Sequence, residues 1–61
     1  MTINIYRKRE IPFGYVVDDA PEFTFNNVSN LSIGKVWLKF LENGNPVEIK
    51  LDHFNYLYVV E

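Results

Sequence analysis

The chain has 61 residues, 48% of them apolar and 23% charged, and a formal net charge of −2. A chain this short makes one thin-cored domain, which excludes a two-domain enzyme, a βαβ nucleotide fold and a helical repeat array. The composition is globular rather than disordered; with no cysteine, thiolate zinc sites and cysteine nucleophiles are excluded and a cytoplasmic chain is expected.

Thr2 to Tyr6 alternates apolar Ile3 and Ile5 with polar Thr2 and Asn4, the period of a half-buried strand. Arg7-Lys8-Arg9 is expected to end it on a solvated stretch. Pro12 and Gly14 then punctuate the chain, and Tyr15-Val16-Val17 is β-prone as far as Asp18-Asp19. Asp19-Ala20-Pro21-Glu22 has the form of a helix start, yet Phe23-Thr24-Phe25 alternates like a strand. A turn followed by a short strand is therefore expected. The Asn- and Ser-rich run from Asn26 to Ser32 reads as a loop, with Val28 and Leu31 tucked beneath it.

Lys35 to Leu51 carries the strongest local signal. Asn43-Gly44 suits a type I′ turn, which needs positive φ at both central residues. That turn sets Phe40 opposite Val47, Leu38 opposite Ile49 and Val36 opposite Leu51 on one face. Lys39–Glu48 and Trp37–Lys50 fall on the other, as an opposite-charge pair and a cation–aromatic pair. A rival reading winds Ser32 to Gly44 as a short helix, with Ile33, Val36, Trp37, Phe40 and Leu41 on one face. Gly34 and the β-prone Val36 and Trp37 count against it. After a short connection at 52–55, Tyr56 to Val60 reads as a last strand. Leu57 and Val59 point one way, and Tyr56, Tyr58 and Val60 the other.

The fold class expected is all-β: a small single-domain antiparallel barrel or sandwich of about five short strands. Over residues 35–61 it resembles SH3-type barrels in outline. The alternative is α+β, with one helix near 32–43.

No catalytic, cofactor or metal motif stands out. His53 beside Asp52 has the form of a general base with an orienting carboxylate, but no nucleophile or oxyanion donor lies at a recognisable spacing. Asp18, Asp19 and Glu22 offer hard oxygens without the central glycine and distal glutamate of a calcium loop. Arg7, Lys8 and Arg9 are candidate phosphate contacts. Trp37, Leu41, Lys50, Tyr56 and Tyr58 are the candidate partner-binding residues, since Trp and Tyr bury much area and keep a polar handle.

The function expected is a non-enzymatic protein-interaction module, an accessory or regulatory protein of phage or plasmid type. It would bind another protein, or its own copy, through an aromatic sheet face or a strand edge. The second reading is a small-barrel nucleic-acid binder, with Arg7, Lys8, Arg9, Lys35 and Lys39 on phosphates. No membrane partner is expected, because the longest apolar run, Tyr56 to Val60, is far below the roughly 20 residues that span a bilayer.

Overall fold

The computed structural model describes residues 1–52 and 55–61. Among these residues there are seven strands and no helix: β1 (Ile3–Ile11), β2 (Gly14–Val17), β3 (Phe23–Phe25), β4 (Val28–Ile33), β5 (Trp37–Glu42), β6 (Asn45–Lys50) and β7 (Tyr56–Val60). They form two antiparallel sheets. In the first, β1 pairs with β2, β3 and β7; in the second the order is β4-β5-β6.

The Asn-Gly turn works as its chemistry requires. Asn43 and Gly44 have φ of 50° and 81°, and the ladder runs Glu42–Asn45, Leu41–Pro46, Phe40–Val47, Lys39–Glu48, Leu38–Ile49 and Trp37–Lys50. The helix over 32–43 is overturned. Its apolar positions fit two periods, and a φ above zero at Asn43 fixes the one that returns the chain onto itself. The Leu51 N–H donates to the Val36 carbonyl at 2.6 Å, extending the ladder by one pair. Leu51 is buried while Val36 stays exposed, so Val36 is not the core residue its spacing suggested.

Of the stretch from Asn26 to Ser32, only Asn26 and Asn27 are a connection; from Val28 on it is strand β4. β3 and β4 run along one edge of the β1 end: Phe25 lies opposite Ile3, and the Val28 N–H donates to the Met1 carbonyl at 2.8 Å. Between them Asn27, at φ 53°, turns the chain from one sheet into the other. A second left-handed residue, Asn30 at φ 53°, sits in the register shift between Ser29 and Ser32. One extra residue there lets Val28 and Leu31, three apart, both face the core. Asparagine tolerates this backbone, so a composition that reads as loop marks one corner between two strands and one irregularity within a strand. The Asn27 side chain also donates to Asn43 Oδ1 at 2.8 Å, tying the corner to the hairpin turn.

Both sheets contribute to one small core. Ile3 and Ile5 come from the first, and Val28, Leu38 and Phe40 from the second, with Leu51 just beyond β6. Phe25 meets Phe40 edge to face across it, at 5.2 Å between ring centroids. The sheets do not close into a barrel.

The remaining departure lies at the basic triplet. β1 runs through Arg7-Lys8-Arg9 to Ile11. Charges end a strand that must bury a face, but beyond Arg7, which still lies opposite Tyr56 of β7, this stretch runs beside β2 and is exposed from Arg9 on. The molecule is accordingly elongated, 41 × 23 × 14 Å, with a radius of gyration of 12.2 Å against about 10.5 Å for a compact chain of this length.

Candidate functional site

The end of β1 and all of β2 form a two-stranded arm. Ile11 lies opposite Gly14, which leaves Pro12 and Phe13 as the turn residues. Proline presets the first turn position, and Phe13 keeps a negative φ, so the turn is not of the primed kind that matches strand twist. Gly14, at φ 147°, takes up the mismatch with a backbone that L side chains avoid.

Every residue from Arg9 to Glu22 is exposed. Phe13 at the tip is 100% exposed, Tyr15 56% and Ile11 47%. The pairing sets Lys8, Glu10, Tyr15 and Val17 on one face and Arg9, Ile11 and Val16 on the other. Both faces thus carry apolar side chains and neither is covered. The Lys8 ammonium lies 4.9 Å from the Tyr15 ring centroid, a cation–aromatic contact that holds the base of the arm. The sequence marks the turn by Pro12-Phe13-Gly14 ahead of the β-prone Tyr15-Val16-Val17; the charged triplet before it hides that β1 continues.

The predicted partner-binding residues divide between two surfaces. Trp37 and Leu41 stand on the outer face of the second sheet, where Lys50 lies opposite Trp37 and Pro46 opposite Leu41. Trp37 is 41% exposed and borders a shallow depression with Ser32, Gly34 and Lys39. Tyr56 and Tyr58 belong to the first sheet, opposite Arg7 and Ile5, and pack against the core. Tyr56 and Lys50 do meet at an apolar hollow of about 300 Å³ between the sheets, with Ile5, Phe25 and Leu51 in its lining.

Arg7, Lys8 and Arg9 do not make one patch, since alternation turns Lys8 away from its two neighbours. Lys39 approaches Glu48 at 4.0 Å, an exposed pair of little energetic consequence. The Asp18 and Glu22 N–H groups donate to the carbonyls of Arg7 and Ile5, carrying the chain from β2 to β3. No group of three or more His, Asp or Glu residues among the described residues is placed to hold a metal. His53 lies outside the described residues. No helix among them is long and apolar enough to cross a membrane. No family model, curated protein or solved structure matches this chain.

Proposed function

We propose that this chain is a non-enzymatic protein-interaction module that docks its β1–β2 arm into a concave apolar surface of another protein. The observation that carries the reading is Phe13, fully exposed at the tip of a projecting hairpin. A two-stranded hairpin has little stability of its own in water, so a partner that covers this one stabilises it as well. Burial of a large apolar side chain contributes about 1.5–3 kcal/mol. Ile11, Phe13 and Tyr15 together therefore supply about 4–9 kcal/mol before the cost of association, which is weak binding by themselves, and tighter binding draws on further contacts along the arm. The return of β7 onto β1 and the turn at Asn27 that takes the chain from one sheet into the other support an SH3-like outline, in an open form. The nucleic-acid reading has less support, because the basic triplet is divided between two faces and Lys8 is engaged with Tyr15.

Affinity capture from the native host, run with the unaltered chain, Phe13→Asp and Trp37→Ala, tests the proposal. Docking through the arm predicts that Phe13→Asp loses the captured partner and Trp37→Ala keeps it. The opposite pattern would move the site to the outer face of the second sheet. Retention of the unaltered chain on single-stranded DNA or RNA at low salt would favour the nucleic-acid reading instead.

A further inference from the structure

The sheets leave four outer strands besides the short β3, and three of them are protected. β2 has only four residues. β4 is broken by the Asn30 irregularity and tied to Met1 at Val28. In β6 the Asn-Gly hairpin fixes the pairing, so that Asn45, Val47 and Ile49 bond to β5 while Pro46, Glu48 and Lys50 turn outward. Proline lacks a donor and charges deter pairing, so this edge does not accept a further strand.

β7 has none of these devices. It is Tyr56-Leu57-Tyr58-Val59-Val60, without charge, proline or bulge, and among the described residues it pairs only with β1. Thr2 and Glu61 exchange both backbone hydrogen bonds, at 2.9 and 2.8 Å, and the Lys8 N–H donates to the Asn55 carbonyl at 2.8 Å. Antiparallel ladders alternate, so Leu57 and Val59 also bond towards β1. Tyr56, Tyr58 and Val60 therefore direct their backbone groups away from the sheet. The Tyr56 N–H is taken by the Asp52 carbonyl at 2.9 Å. Among the described residues, the N–H and C=O of Tyr58 and Val60 and the Tyr56 C=O have no backbone partner.

We infer that a second copy of this chain covers this edge, with β7 pairing antiparallel to β7 about a two-fold axis at Tyr58. The choice of occupant rests on self-complementarity. In this register Tyr58 exchanges both backbone bonds with Tyr58 of the partner subunit. Tyr56 faces Val60 of the partner subunit, and Leu57 faces Val59 of the partner subunit. These are aromatic and β-branched pairs of the kind that stabilise sheets. Glu61 meets Asn55 of the partner subunit, so no like charges oppose. The contact is small and the dimer correspondingly weak; it joins the two first sheets edge to edge and leaves both arms free.

Sedimentation velocity between about 10 µM and about 1 mM tests this. The expected result is a concentration-dependent monomer–dimer equilibrium, with slower amide exchange at Tyr58 and Val60 as the dimer forms. Val60→Pro removes an outward donor without touching the ladder to β1, and Val59→Lys puts a charge on the exposed outer face of the strand. Both are expected to weaken the dimer at least tenfold while circular dichroism stays that of the unaltered chain. Phe13→Asp is expected to leave the dimer intact, which separates this contact from docking by the arm. A monomer throughout the range, a dimer unaffected by both β7 variants, or a dimer lost with Phe13→Asp would each overturn the inference.

Discussion

At the scale of single residues, Leu38 and Trp37 show how neighbours in one strand take different work. Leu38 is 1% exposed at the centre of the core, and the adjacent Trp37 stands outside it. Leu38→Ala is expected to cost about 2–5 kcal/mol, as a core truncation with a residual cavity does. Trp37→Ala is expected to cost less, and thermal denaturation of the two variants gives the order directly. A larger loss from Trp37→Ala would place its ring in the core. This assignment was legible because one turn fixes the face of every residue from Trp37 to Lys50. Asn27 and Asn30 were not, because asparagine favours loops and left-handed strand corners for the same reason. Only the three-residue spacing of Val28 and Leu31, too wide for a strict strand period, hinted at the extra residue between them.

At the scale of elements, the β5–β6 hairpin organises the second sheet. A Cβ at Gly44 would meet nothing within 4 Å, so a substitution there acts through the backbone alone. Gly44→Val is expected to cost about 1–2 kcal/mol, the penalty of a left-handed conformation for a side-chain-bearing residue, and Gly44→Asn distinctly less. Chemical denaturation measures both; equal losses would mean that the positive φ is not what the turn requires. β7 and β3 were also legible, their bounds given by alternation and the polar residues around them. The arm was not. Its residues show no clean apolar–polar alternation, because neither face packs on anything, and a periodic signal arises only where one side is buried. Tyr56 and Tyr58 likewise gave no sign in the sequence that they share the core rather than the face of Trp37, since that depends on which sheet β7 joins.

At the scale of the whole molecule, the two sheets share a core of six buried apolar residues among the described ones, and much of the remaining apolar surface stays in water. The accessible surface of 4472 Å² exceeds the roughly 4,100 Å² usual for this mass. The excess belongs with the projecting arm, and the open edge of β7 adds backbone groups without partners. The sequence leads to the expectation of an aromatic surface or a strand edge as the docking element, but the free arm and the open β7 edge are not legible in it, because both are set by contacts between distant segments. The account stands on the arm projecting free of the body. The direct measurement is nuclear Overhauser contacts from the Phe13 and Tyr15 ring protons in the dilute free chain. The account predicts contacts only to other residues of the arm. Contacts from either ring to Trp37 or Leu41 would mean that the arm folds back over the second sheet and leaves no surface to dock.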